Sequence, residues 1–297
     1  MANSLIPVLD VGGTHVTAAL VDANRGVLVG PVHRRELDGG APAAEIVDTL
    51  IAAAEAVPAP KGATWGVAMP DPFDYARGVA LFVGVGKFES LHGLDLRAAI
   101  STRLPGPPGG IAFLNDADAF ALGEWAHGAA AGYRRCLGLT LGTGVGTGWL
   151  VDGEIVSVGP GIPRDGRAHR LEIAGTPLEE TMSSRAIRRA YRAASDDSTA
   201  DVREIALAAR GGDPMAVGVL QNALHALGGA LGPCLRDFGA DVVVVGGSMA
   251  ASWDLFEPWF RAGIADGGTT PPTMRLARDR EHAPLLGAAH FAGESAH

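Results

Sequence analysis

Apolar and polar residues fall in short blocks punctuated by glycine, and the blocks form two series. Leu5–Asp10 and Val16–Val21 are strand-like runs on either side of Gly12-Gly13-Thr14, and Gly26–Arg35 reads as a third strand. Ala43–Ala56 carries apolar residues at helical spacing and stops before Pro58. Thr64–Met69 is a short buried strand that ends at Pro70, and Ile111–Leu114 is another, entered from the glycine- and proline-rich Pro105–Gly110. Ala117–His127 then reads as a helix, so Asn115-Asp116 stands at a strand-to-helix junction.

The pattern starts again at Cys136–Leu141, a strand followed by a glycine turn over Gly142–Gly148 and a strand over Trp149–Val151. The two openings are alike, Leu9-Asp-Val-Gly-Gly-Thr leading to Leu20-Val-Asp and Leu141-Gly-Thr-Gly-Val-Gly leading to Leu150-Val-Asp. Such likeness suggests an internal duplication, although glycine-rich hairpins of separate origin also resemble one another. The second series is richer in helix, with Pro177–Ala194, Ala200–Ala209 and Pro214–Phe238, the last with Asp213 as N-cap and Pro214 in its first turn. Asp241–Val245 is a valine run suited to a strand buried on both faces. It ends in Gly246-Gly247-Ser248 and a further helix, and Ala283–Ala292 closes the chain as a helix. Strands alternating with helices give an α/β protein, and the opening hairpins make its sheets mixed.

Composition narrows the function. At 297 residues, two domains are expected, and 47% apolar with 19% charged residues is the balance of a packed globular chain. A formal charge of -9, with Lys61 and Lys87 the only lysines, argues against a nucleic-acid partner, which would need clustered cations. Cys136 and Cys234 lie far apart, too few for a disulfide framework or a multi-cysteine zinc site, so a reducing cytoplasm is the expected location. The N-terminus lacks a basic signal-like region, and no run approaches the roughly 18 apolar residues that span a bilayer. A soluble protein without a membrane partner is expected.

Glycine is abundant, 42 residues, and three clusters follow strands, at 10–14, 142–148 and 246–248. Backbone N–H groups of a tight turn converge on an anion without help from side-chain charge, which suits a chain so poor in lysine. The common alternatives fail. Gly86-Lys87 is followed by Phe88 and lacks the first glycine of a Walker loop, while Thr147 and Trp149 break the dinucleotide-binding glycine pattern. Asp10, just before the first turn, is placed to orient water or Mg²⁺ beside phosphates.

Asp10-Val-Gly-Gly-Thr14, Asn115-Asp116-Ala-Asp, Leu139–Gly148 and Val243–Ser248, in this order, resemble the ROK family of sugar kinases, of the actin- and hexokinase-like ATPase superfamily. The likeness runs over nearly the whole chain. It implies a two-lobed, ribonuclease H-like α/β fold with duplicated glycine-loop hairpins. A small lobe over 1–115, joined by 281–297, and a large lobe over 116–280 would close around the substrates.

The resemblance also implies ATP as donor, held by Asp10, Gly12, Gly13 and Thr14, by Gly142, Thr143, Gly144 and Gly146, and by Gly246, Gly247 and Ser248. Mg²⁺ would sit near Asp10 through water. Asp116 would be the general base for a hydroxyl of a sugar or polyol, although aspartate at such a junction also serves as a helix N-cap. Asn115 would hold neighbouring hydroxyls, and Leu178-Glu179, with Ser183 and Ala186-Ile187, is similar to the segment that supplies a sugar-binding glutamate. A homodimer is implied by the family alone.

Three stretches depart from the family pattern, all on the acceptor side. Asp165–His169 and Arg170–Pro177 stand where relatives carry a histidine and a cysteine-rich zinc motif; the cysteines are gone and no zinc site is expected, while His169 aligns and is a candidate contact to a substrate hydroxyl, against a structural role. Pro70-Asp71-Pro72 replaces a Pro-Gly pair, making Asp71 a candidate substrate contact or a block. Val83–Phe88 replaces a segment with a hydroxyl-binding asparagine, and its Lys87 reads as a solvated surface residue, with substrate contact the minority reading. A hexose kinase is the expected function. A kinase for a cyclitol or amino sugar, or a non-catalytic sugar sensor, is the alternative. A sugar-responsive regulator would need a DNA-binding segment before Asp10, and none is read here.

Overall fold

The computed structural model describes residues 4–173, 175–195 and 199–295. Met1–Asn3, whose lack of a basic region entered the reading above, and Ala174 of the Arg170–Pro177 stretch lie outside the described residues. The chain divides into two compact units, one ending at Gly128 and taking back the chain from Glu281, the other Ala129–Arg280.

The first unit opens with β1 (Leu5–Val11), β2 (His15–Asp22) and β3 (Val27–Glu36), followed by α1 (Ala43–Ala54) and β4 (Thr64–Met69). A small ribbon, β5 (Phe73–Asp74) with β6 (Val79–Ala80), precedes α2 (Leu96–Ser101), β7 (Gly110–Asn115) and α3 (Asp116–His127). The sheet runs β3-β2-β1-β4-β7, its hairpins antiparallel and β1, β4 and β7 mutually parallel. Alternation sorts β4 by face. Trp65, Val67 and Met69 join the core that α1 fills with Ile46 and Leu50. Gly66 faces the chain's last helix, and a Cβ there would collide with the Ala288 carbonyl. Each large side chain so buried contributes about 1.5–3 kcal/mol.

The second unit repeats the plan. It contains β8 (Arg135–Leu141), β9 (Val145–Val151), β10 (Glu154–Ile155), the ribbon β11 (Glu172–Ile173) with β12 (Thr176–Pro177), α4 (Glu179–Met182), α5 (Ser184–Ala194), α6 (Val202–Arg210), α7 (Pro214–Phe238), β13 (Val242–Gly246), α8 (Trp253–Asp266) and β14 (Thr273–Leu276). Its sheet runs β10-β9-β8-β13-β14, again two antiparallel pairings followed by two parallel ones. This identity of strand order and direction is what an internal duplication produces. β13, an interior strand between β8 and β14, is buried at every residue.

Each unit is backed by a helix pair whose axes come unusually close. In the first, α3 meets α9 (Ala283–Glu294), and a Cβ on Gly123 would strike the Ala283 carbonyl while one on Gly287 would strike the Ala119 carbonyl. In the second, Gly228 of α7 and Gly263 of α8 stand in the same relation to Phe260 and His225. Because α3 is locked to α9 in this way, the first unit extends through Gly128, whereas the sequence reading placed α3 in the second lobe.

Other expectations shift for local reasons. The turn read as Gly142–Gly148 is shorter, because Val145 already pairs with Leu141 and β9 runs unbroken to Val151. The helix read as Pro177–Ala194 breaks at Ser183, whose hydroxyl accepts from the Ala186 N–H at 3.2 Å and so caps α5. The edge strand β14 was not foreseen. Among the described residues no helix is long and apolar enough to cross a membrane.

Replacing Gly287 by Leu is expected to cost about 1–3 kcal/mol of stability, because the added atoms must separate α9 from α3. A urea titration checks this; an unchanged midpoint would mean that the helices part without cost.

Candidate active site

Parallel strands deliver their chemistry at their C-terminal ends. In the first unit Asp10 of β1 is level with Ala68 of β4, and Met69 is level with Asn115 of β7. Asp10, Asp71 and Asp116 therefore emerge along one edge of the sheet, as ligand-binding residues do in open α/β sheets.

Asn115 organises that edge. Its Oδ1 accepts from the N–H groups of Ala117, at 3.0 Å, and Asp118, at 3.3 Å, so it is the N-cap of α3. Its Nδ2 donates to Asp71 Oδ2 at 3.2 Å and to the Tyr75 hydroxyl at 3.1 Å, and Tyr75 in turn donates to Asp71 Oδ1 at 2.9 Å. The buried amide expected to grip substrate hydroxyls is thus committed to the protein. The capping task weighed for Asp116 belongs to its neighbour, and Asp116 is the first residue of the helix.

Asp10 is half-buried, and its carboxyl is pushed up to about 7. Burial is the main cause, the nearby charge of Asp116 adds to it, and Arg34 opposes both. His15, which follows the glycine turn, is held below its usual value by burial and by Arg34, with Glu281 opposing.

The turn itself is closed by the Gly12 N–H donating to the His15 carbonyl at 2.9 Å. Gly13 and Thr14 carry N–H groups that meet no acceptor among the described residues. Unengaged backbone donors in a glycine turn are the chemistry that can bind an anion.

In the second unit two further glycine turns lie side by side. The Gly142 N–H donates to the Gly144 carbonyl at 3.1 Å, and both the N–H and the hydroxyl of Ser184 hold the Gly142 carbonyl, at 3.0 and 2.6 Å. β13 brings Gly246 opposite Thr140. Gly247 follows at φ 81° with its Cα so close to Leu141 that no side chain fits, and Ser248 Oγ comes to lie over Gly142. The structure therefore joins Gly142, Thr143, Gly144, Gly247 and Ser248. Gly146 is inside β9, paired with Thr140, and Gly246 is the last residue of β13. Glu179, at the start of α4, places a carboxylate oxygen against Gly144.

His169 lies half-buried in a short 3₁₀ turn, Ala168–Arg170, and sequence reasoning missed what holds it there. Thr147, wholly buried in β9, donates to the Gly166 carbonyl at 2.7 Å and accepts from the Ala168 N–H at 3.0 Å. Trp149 Nε1 donates to the same Gly166 carbonyl at 3.1 Å, and buried Arg167 reaches the Thr147 carbonyl at 3.3 Å. Side chains clasp this segment in place. The only local sign was a threonine and a tryptophan within a glycine-rich run. The cysteines are elsewhere: Cys136 is buried in β8, its thiol pushed up to about 12 by burial and Asp241, and Cys234 is part of α7.

Among the described residues no three His, Cys, Asp or Glu side chains come together as a metal cage. Asp10 with Asp116 offers instead hard oxygens and a negative charge that Arg34 offsets only in part. That donor set fits a Mg²⁺ ion held largely by water and phosphate oxygens.

The ROK family model matches residues 7–163 and 174–295. The chain belongs to the ROK family. It is 26% identical to a glucokinase of Thermotoga maritima over 283 residues, covering 87% of this chain and 86% of that protein. It is also 26% identical to an N-acetylmannosamine kinase of Salmonella paratyphi B, covering 96% and 97%. The ROK hexokinase of Thermus thermophilus superposes with a TM-score of 0.76 at 26% identity, covering 98% of each chain. The mixed α/β units are those of ROK sugar kinases, with the actin-like ATPase fold.

Two consequences of this ROK site are measurable. Replacing Thr147 by Val leaves Gly166 and Ala168 without their buried partner and is expected to cost about 1–3 kcal/mol. Trypsin should then cut faster at Arg164 or Arg170, and unchanged cleavage would show that the clasp is not what orders the segment. Asp10 ties stability to pH. Its folded-state pKa of about 7 lies above its ordinary 3.8, so its contribution to stability is fully present below about 4 and is lost as pH rises through about 7. Relative to the parent, Asp10→Asn should therefore gain stability steadily between pH 5 and pH 8 in urea unfolding; a constant difference would refute the shift.

Proposed function

We propose that this ROK-family chain is an ATP-dependent kinase of a hexose or closely related polyol, with Asp116 as the general base. One observation carries the assignment. Asn115 takes the helix cap, which places the Asp116 carboxylate in electrostatic contact with Asp10 at the sheet edge where the first glycine turn begins. A carboxylate there is suited to draw the proton from an acceptor hydroxyl as that oxygen attacks phosphorus.

In this reading the turns at Gly12–Thr14 and Gly142–Gly144 hold phosphate through backbone N–H groups, and Gly247-Ser248 supports the nucleotide next to the second turn. Mg²⁺, when bound, would neutralise phosphate charge, with Asp10 as its protein contact through water. Asp71, oriented by Tyr75 and Asn115, is assigned to the acceptor. Glu179 and His169 are assigned to the acceptor from their place in the family pattern.

Asp71 motivates a second reading. A carboxylate oriented at the acceptor edge suits a substrate with an amino or acylamino group, and one relative is an N-acetylmannosamine kinase. Turnover of glucose, N-acetylmannosamine, glucosamine and a cyclitol with MgATP separates the readings. Robust glucose turnover supports the first, and preference for an amino sugar the second.

With whichever acceptor is turned over, Asp116→Asn should lower kcat by about 10²- to 10⁴-fold while nucleotide affinity stays the same. An Asp116→Asn enzyme as fast as the parent would remove Asp116 as the base.

A further inference from the structure

We propose that Lys87 is a phosphate-binding residue, whose ammonium group pairs with the phosphoryl group nearest Asp116 at the first glycine turn; this rests on the kinase reading above. The observation is a contact that sequence distance hides. A Cβ built on Gly13 would lie 3.4 Å from Lys87 Cδ and 3.9 Å from Lys87 Nζ, so the side chain lies along the turn and ends beside it. There it joins the Gly13 and Thr14 N–H groups, which find no acceptor among the described residues. Two backbone donors and a charged side-chain donor thus belong to one turn, a set suited to an anion.

The surrounding chain holds Lys87 in this pose. The Leu37 N–H donates to the Thr14 carbonyl at 2.9 Å, tying residues 37–40 to the turn. The Phe88 N–H donates to the Gly39 carbonyl at 2.6 Å, and Ser90 Oγ donates to the Ala41 carbonyl at 2.7 Å, tying 88–90 to the same stretch. Gly39 is pressed between the Gly13 carbonyl and Lys87 Cβ, at 3.1 and 3.2 Å from where its own Cβ would be.

Phe88 is fully buried, its ring 5.2 Å from that of Phe82, yet its φ is 59°, a conformation that bulky residues avoid. The core anchors the ring, and the strained backbone turns the preceding residue toward Gly13. Strain of this kind persists where the surroundings over-determine it, commonly at ligand clamps.

Charge points the same way. Lys87 makes no ion pair or hydrogen bond among the described residues. Asp38 accepts from the Gly40 N–H at 2.8 Å and Glu89 from the Gly86 N–H at 3.0 Å, and neither forms an ion pair with Lys87 among the described residues. In a chain of net charge -9 with two lysines, an ammonium with no partner among the described residues lies over the glycine turn, a second cation there beside Arg34, which acts on Asp10 and His15.

The test compares the full-length parent with Lys87→Gln and Lys87→Arg. Each is titrated calorimetrically with AMP, ADP and a non-hydrolysable ATP analogue in Mg²⁺, and acceptor KM is measured alongside. Lys87→Gln should bind the triphosphate analogue about 10- to 100-fold more weakly, the worth of one charge-assisted contact, while AMP affinity, acceptor KM and Tm are retained. Lys87→Arg should recover most of the loss.

Equal analogue affinity in Lys87→Gln and the parent overturns the proposal and leaves the kinase reading intact. An equal loss for AMP, ADP and the analogue also overturns it, since that marks a structural effect. A parent that binds no nucleotide overturns both.

Discussion

The side-chain amide of Asn115 is the joint on which the first unit's chemistry depends. Its oxygen ends a strand and starts a helix, and its nitrogen fixes Asp71 through the same atoms that engage Tyr75. A buried amide has few ways to satisfy all its bonding groups, so each partner constrains the others. The position of Asp116 relative to β7, and of the 70–75 segment relative to both, follows from that one set of bonds. Where a simpler α/β junction would cap its helix with the acid itself, this one delegates the cap and leaves the acid at the sheet edge.

Repetition of one topology sets where the remaining chemistry appears. In both units a glycine hairpin opens the sheet, and the parallel strands that follow end level with it. The glycine helix crossings recur as well, α3 on α9 and α7 on α8. What differs is what each copy carries at its strand ends. The first presents carboxylates, Asp10, Asp71 and Asp116. The second presents small residues, Gly142, Gly144, Gly247 and Ser248. On the kinase reading the first copy supplies acid-base and cation chemistry, and the second supplies surface against which a nucleotide lies closely.

Local pattern made much of this legible. The hairpins, Asp10, the Asn115-Asp116 junction and the helix of Pro214–Phe238 announce themselves through neighbours in sequence, because turns and caps are local chemistry. The features that escaped are those fixed by distant partners. Gly146 resembles a loop residue until β8 is seen beside it, since glycine composition says nothing of register. Thr147 reads as one more loop hydroxyl, yet its bonds go to Gly166 and Ala168. Lys87 belongs to no charge run in sequence, and its relation to Gly13 exists only because three backbone segments are stitched together. Asn115 is a different case: the residue is where the pattern placed it, and its bonds to Asp71 and Tyr75 are what the sequence did not show.

An acidic chain that takes a polyanion must solve a problem of charge, and Asp10 shows how. A formal count of -9 treats every carboxyl as ionised, but a carboxyl pushed up to about 7 is largely protonated in mildly acidic solution. The penalty at Asp10 arises from burial and from Asp116, so any cation arriving there relieves both causes and displaces the proton. On the kinase reading, the site's negative charge therefore develops as the metal and its phosphates arrive, and does not stand in their way beforehand. On the same reading, backbone N–H groups, which carry no formal charge, share that work with Lys87, so that few lysines are needed to hold phosphate.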